Sequence, residues 1–226
     1  MKKIDKLLIA GVLGAIALFG LSLLPGTPSS SDISSPIQGT HYTNVSEEPL
    51  VKDDVVLFFW YGCPHCKKAY EVMEFTGFEE SLAASGKKLR KIPVAANETW
   101  ALHAKLFYAL DKAGLSSEGH GQVMQLIQDM GANKEKDLPK VIDRVIADEK
   151  ARNEKFKSTT KDILSELDSS YVNRKMSEGS KVAEASKIQG VPAMLVNGTS
   201  SITLGGAVTY IDFPVVALKL VIGDVK

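Results

Sequence analysis

The stretch VVLFFWYGCPHCKKAYEVM, residues 55–73, holds the only two cysteines of the 226-residue chain, Cys63 and Cys66. Residues 55–60 are apolar and rich in β-branched and aromatic side chains, the pattern of a strand buried on both faces. Tyr61 and Gly62 interrupt the run, and a helix is expected to open at the cysteines. Pro64 suits its first turn, where a missing N–H costs nothing. Ala69, Val72 and Met73, with residues 75–78, carry its apolar stripe.

This placement gives the two sulfurs different chemistry. Cys63 falls at the N-cap, where free backbone N–H groups and the positive end of the helix dipole favour a thiolate. Cys66 lies within the first turn, more shielded and able to attack only a neighbour. Cys63 is therefore read as the nucleophile and Cys66 as its resolving partner, the two closing a disulfide between them. Pro64 and His65 are the thiolate-stabilising residues in between, and Lys67 and Lys68 add positive charge. A stabilised thiolate is a good leaving group and stabilises the reduced form, which makes the disulfide oxidising. The expected reaction is disulfide donation: a substrate thiolate attacks Cys63, Cys66 is released, and a second substrate thiol resolves the mixed species. Neither metal nor cofactor is expected. Structural zinc takes four ligands, and His41, His103 and His120 stand in no ligand-like spacing. A purely structural bridge would close too small a ring to constrain the unfolded chain much.

Beyond this stretch, Lys+Arg and Asp+Glu are both 27, and no long basic run follows the N-terminus, which argues against nucleic acid as the main partner. A content of 44% hydrophobic and 24% charged residues is that of an ordinary globular protein. The chain opens MKKIDK, then an uncharged apolar run over residues 7–24. That run is either a cleaved signal peptide or an N-terminal membrane anchor, its positive end cytoplasmic. Either way the remainder is exported to a compartment where disulfides persist. Residues 25–40, PGTPSSSDISSPIQGT, read as a flexible linker, with folding expected from about His41.

KLRKIPVAA (88–96) reads as a second strand that Pro93 confines to an edge. From Glu98 to about Asp168 the period is helical: ETWALHAKLFYALDKAG, QVMQLIQDMG and KVIDRVIADE each fit a helix, with further pieces from about Glu154 and about Tyr171. The last should end at Gly190 in a left-handed cap. AMLV (193–196), Asn197-Gly198 and SITL (201–204) form a hairpin pattern. Asp212 then caps a final amphipathic helix through Phe213, Val216, Leu220 and Val221. The architecture is an α/β core from residues 41–97 and 169–226, with a helical insertion at 98–168.

CPHC after an apolar strand, together with GVPAMLVNG (190–198), resembles the DsbA family of thiol:disulfide oxidoreductases. The likeness runs from about residue 41 to the C-terminus, including the place and size of the insertion. It implies a thioredoxin-like fold and a cis Val191–Pro192 bond facing the cysteines. Val191 and Pro192 would then bind substrate, the Val191 backbone pairing with an extended peptide. It also implies a strongly oxidising, low-pKa dithiol, a periplasmic monomer acting on reduced, unfolded exported proteins, and reoxidation by a DsbB-type quinone-linked membrane protein. One position departs from the pattern. Family members commonly carry a buried acid six positions before the first cysteine, and here that position is Leu57. An equally or more oxidising pair is expected, without a carboxylate proton relay. Trp60 and Tyr61 are candidates for an apolar client platform. The alternatives are an isomerase or reductase of the same compartment, for which residues 25–54 are too short and polar to supply a dimerisation domain, and a chaperone-like binder of unfolded chains.

Overall fold

The computed structural model describes residues 33–52 and 54–223. The apolar run at 7–24 lies outside them, and among the described residues no helix is long and apolar enough to cross a membrane. Five strands, β1 (Thr43–Asn44), β2 (Val55–Phe59), β3 (Leu89–Pro93), β4 (Ala193–Val196) and β5 (Ser200–Thr203), form one sheet in the order β1-β5-β4-β2-β3. β2 and β3 run parallel, with Leu57 opposite Lys91, and the other pairs are antiparallel, with Leu57 opposite Met194.

β2 is buried along its whole length, and period-2 alternation sends its side chains to two different layers. Val55, Leu57 and Phe59 enter the large core, whereas Val56 and Phe58 pack with Ile92, Ala193 and Leu195 against Val182 and Ala183 on the other face. The parallel crossover from β2 to β3 consists of α1 (Pro64–Phe75) and α2 (Phe78–Ala84). β3 is indeed an edge strand, and Pro93 is its last residue.

Between β3 and β4 come α3 (Glu98–Lys112), α4 (Ser117–Met130), α5 (Leu138–Arg152), α6 (Thr160–Glu166) and α7 (Ser170–Ala185). α4 packs on both α1 and α5, α3 packs on α6 and α7, and α7 also reaches β3. Gly179 permits that last approach: a Cβ there would sit 2.7 Å from the Tyr108 hydroxyl and 3.0 Å from Ile92 Cγ2. The closing helix α8 (Asp212–Ile222) lies on β4 and β5 and buries Phe213, Val216, Leu220 and Val221.

Several local expectations need correction. Phe75 is 91% exposed, because α1 ends there and Gly77, at φ +62°, turns the chain so that Phe78 goes inward instead. α4 begins at Ser117, earlier than its apolar stripe, because the Ser116 side chain accepts the Gly119 N–H. The piece expected from Glu154 starts only at Thr160, where Thr159 and Asp162 form a reciprocal capping box. α7 stops at Ala185, and the left-handed residue after it is Lys187, not Gly190. Asp212 is not itself the cap: its carboxylate accepts from the Thr209 N–H and hydroxyl, and Thr209 Oγ1 accepts the Asp212 N–H. The hairpin turn has the expected left-handed pair, Asn197 at φ 51° and Gly198 at φ 71°. Within residues 33–40, Pro36 is buried, Gln38 bridges to Tyr42, and the Ser34 carbonyl accepts from Lys219 Nζ.

Candidate active site

The end of β2 delivers Trp60 and Tyr61 into a turn, and α1 starts immediately after it. Cys63 is the N-cap, in extended conformation at φ −87° and ψ 116°, and its Sγ accepts the Cys66 N–H at 3.2 Å. Both cysteines are thiols here, 7% and 2% exposed respectively. The more shielded position of Cys66 is thus a consequence of helical geometry, three residues carrying it to the inner side of the first turn.

The electrostatics separate the two sulfurs. The Cys66 thiol donating to Cys63 is the largest influence lowering the Cys63 pKa, from 9.0 to about 6. The backbone N–H groups of Cys66 and His65 and the His65 charge act in the same direction, while burial opposes them. Cys66 is pushed far up, first by burial and then by donating to its neighbour. Lys67 and Lys68 contribute less than their sequence position suggests, since both turn along α1 to Glu71.

Across from the thiols, the Val191–Pro192 peptide is cis, and the Cys63 thiol donates to the Val191 carbonyl at 3.6 Å. Chain segments 128 positions apart therefore meet at the sulfur. Beside them an open groove of about 740 Å³ is lined by His65, Val191, Pro192, Leu204, Val208 and Tyr210, among others.

The turn itself is held from the helices between β3 and β4, by residues that sequence reasoning left unassigned. Gln128 Nε2 of α4 donates to both the Tyr61 carbonyl (2.8 Å) and the Cys63 carbonyl (3.1 Å). Trp60 Nε1 donates to His103 Nδ1 at 2.9 Å, so His103 Nε2 carries the proton and donates to the Ala132 carbonyl, also at 2.9 Å. Trp60 stacks on Trp100 at 4.5 Å between ring centroids, and a Cβ added to Gly62 would fall on its indole. Tyr61 is 1% exposed, with its hydroxyl 2.5 Å from His120 Nδ1, so it offers no platform to clients. His103 and His120 are thus buried polar anchors, and burial lowers both pKa values, that of His120 to about 3. Their separation along the chain hides this role; only the packing of α3 and α4 against α1's turn reveals it.

Leu57 is 3% exposed and borders a small cavity of about 10 Å³ together with Phe59, Tyr61, Tyr70, Lys91, Phe107, His120 and Met124. No carboxylate lines it. Lys91, opposite Leu57 in the register, instead reaches outward to Glu79 at 2.7 Å and to Ser117 Oγ at 2.5 Å.

No family model matches the chain. Individual relatives do. It is 30% identical over 209 residues to the thiol:disulfide interchange protein DsbA of Azotobacter vinelandii, covering 89% of each chain. The DsbA of Pseudomonas syringae pv. tomato is also 30% identical over 205 residues, covering 89% of this chain and 87% of the relative. Among solved structures, DsbA of Pseudomonas aeruginosa aligns with a TM-score of 0.62 at 27% identity, over 82% of this chain and 90% of that one. A single-residue variant of the same Pseudomonas aeruginosa protein gives 0.67 at 25%, over 84% and 98%. DsbA of Proteus mirabilis, at 19% identity, shares the fold with a TM-score of 0.66 over 83% and 96%. The five-stranded sheet with eight α-helices among the described residues is accordingly a thioredoxin-like fold. With a nucleophile-competent thiol pair at a helix start and relatives matched over most of its length, the chain is a thiol:disulfide oxidoreductase and belongs to the DsbA family.

Proposed function

We propose that this protein donates the Cys63–Cys66 disulfide to reduced, unfolded proteins exported with it. In the oxidised enzyme a substrate thiolate attacks Cys63 Sγ, the S–S bond breaks, and Cys66 leaves as a thiolate that takes up a proton. A second substrate thiolate then attacks the substrate sulfur of the mixed disulfide, forming the product disulfide and expelling Cys63 as a thiolate. The enzyme leaves this cycle reduced and its substrate oxidised by two electrons. A quinone-linked membrane protein of the DsbB type restores the Cys63–Cys66 bond. The setting is the periplasm, reached through the N-terminal segment, and the enzyme works as a monomer on residues 41–97 and 169–226 with 98–168 inserted.

The observation that supports this assignment of roles is the Cys66 N–H bond to Cys63 Sγ at 3.2 Å, with Cys66 itself buried beneath. A sulfur that is lowered toward 6 is a good leaving group in the second exchange, and a buried one is accessible only from inside the molecule. Pro64 and His65 support the thiolate through the geometry of the first turn. Val191 and Pro192 form the opposite wall, where an extended substrate segment pairs with the Val191 backbone.

The test is oxidation of a reduced, disulfide-free model substrate by the wild type and by Cys63→Ser. The variant should lose oxidase activity entirely. A reductase would instead show a reduction potential near that of thioredoxin, an isomerase would reshuffle a scrambled substrate faster than it oxidises a reduced one, and a chaperone-like binder would keep its full effect on client aggregation after the substitution.

A further inference from the structure

The Tyr210 hydroxyl lies 2.5 Å from Nδ1 of His65, a residue 145 positions earlier, and the two rings face each other at 19° with centroids 6.3 Å apart. Among the described residues this is the only hydrogen bond made by the His65 ring. His65 is exposed, and an exposed imidazole with no partner would sample several rotamers. Tyr210 is better fixed. It sits between Thr209 and Asp212, which hold one another through three hydrogen bonds at the start of α8, and its side chain is half-buried. A half-buried residue anchored beside the start of α8 thus partners an exposed one, and the exposed one stands inside the CPHC motif.

We propose that Tyr210 is a positioning residue for the thiolate: its hydroxyl holds the His65 imidazole in one orientation beside the first turn of α1, so that His65 acts on Cys63 as a fixed group. With the phenol donating to Nδ1, a neutral ring carries its proton on Nε2, while a protonated ring returns Nδ1–H to the phenol oxygen. In both states the plane of the ring is set by Tyr210. His65 and Cys66 both favour the Cys63 thiolate, while Lys67 and Lys68 are engaged with Glu71. The Tyr210–His65 pair also lines the groove that ends at Val191 and Pro192, so a peptide seated there covers the bond and shields it from water. The turn that leads into α8 thereby reaches the CPHC motif through Tyr210.

This inference rests on Cys63 being the attacked sulfur, and one set of titrations separates the two claims. The ultraviolet absorbance of the thiolate is followed against pH in the reduced wild type, Tyr210→Phe, His65→Ala and the double variant. In the wild type Cys63 should titrate well below a free thiol; failure there sinks the proposed function and not this inference alone. Tyr210→Phe keeps the ring and removes only the hydroxyl. It should raise the Cys63 pKa by about half a unit, the size of one modest net hydrogen bond, and make the pair less oxidising against glutathione. In the His65→Ala background the same change should have no further effect, because the ring it positions is gone. A Tyr210→Phe shift that is absent, opposite in sign, or equally large without His65 overturns the inference. A merely structural role for Tyr210 would alter thermal stability and leave this non-additivity at zero.

Discussion

The Tyr61 hydroxyl and His120 Nδ1 meet at 2.5 Å inside the protein, with neither residue more than 6% exposed. The strand that leads to the thiols is in this way bonded to α4, on which the turn below them rests. His120 must be neutral to accept from the phenol, and burial keeps it so by pushing its pKa down to about 3.

Acid should therefore weaken the fold through this residue. Between the ordinary histidine value of 6.5 and about 3, the unfolded chain binds a proton that the folded protein refuses, so stability falls as pH falls across that window. At pH ~4.5 the loss from one such group is about 2–3 kcal/mol. Urea unfolding of the wild type and of His120→Gln at that pH and at neutrality measures it. The wild type should lose more than the variant by this amount, and equal losses would remove His120 from the account.

The Cys63 thiol should carry its own pH signature. Its folded pKa of about 6 lies below the ordinary 9.0, so the reduced form gains stability that is complete above the ordinary value and disappears as pH falls through about 6. The oxidised form has no thiolate and lacks this gain. Reduced and oxidised protein should consequently differ most in denaturation midpoint at neutral to alkaline pH and converge in acid. Cys66→Ala removes the thiol that donates to Cys63 and should raise the Cys63 pKa more than any single substitution outside the pair.

Placing a carboxylate at Leu57 should reverse part of the thiolate's stabilisation. Leu57→Glu puts a second anion into the core below the motif, where like charges in poor solvent disfavour each other. The Cys63 pKa should rise and the pair become less oxidising, with Leu57→Gln as the uncharged control. Leu57→Gln should lose roughly 1–3 kcal/mol of stability for an unpaired buried polar group, and Leu57→Glu more, because an ionised carboxylate is costlier to bury than a neutral amide. An unmoved Cys63 pKa in the Leu57→Glu variant, with the introduced carboxyl shown to be ionised, would contradict the idea.

Gln128→Leu should loosen the turn from the α4 side. It strips the Gln128 bonds from the Tyr61 and Cys63 carbonyls; the Cys63 carbonyl keeps the Lys67 N–H at 3.1 Å, so the Tyr61 carbonyl is the acceptor that loses its partner, at a cost of about 1–3 kcal/mol. Amide hydrogen exchange at residues 61–66 should accelerate while exchange in α7 stays as it was. Uniform acceleration through the molecule would mean that Gln128 supports the fold at large and has no particular hold on the turn.

Much of this protein could be read from local pattern. The apolar run of β2, Pro64 in a first helical turn and the Asn197-Gly198 hairpin each follow from backbone preferences that neighbours in sequence satisfy among themselves. The two-cysteine spacing likewise gives the thiols unequal surroundings, since three residues at a helix start put one sulfur at the cap and the other inside. Where local rules competed with tertiary ones the reading slipped. Phe75 looked like part of an apolar stripe, but α1 stops there and Gly77 redirects the chain. Tyr61 looked like surface, yet it is among the largest fully buried side chains because α4 supplies a partner for its hydroxyl.

By itself the chain's sequence determined the main run of strands and helices and the place of the CPHC motif at a helix start, because each depends on residues within a few positions of one another, while Val191 and Pro192 came from the resemblance to the DsbA family. Tertiary structure alone decided which distant groups serve that motif. His103, His120, Gln128 and Tyr210 reach residues 60–65 across separations of 43 to 145 positions. No periodicity records such pairings. They exist because burying the apolar faces of α3, α4 and α8 brings four polar side chains to the one turn whose own backbone and ring groups needed partners.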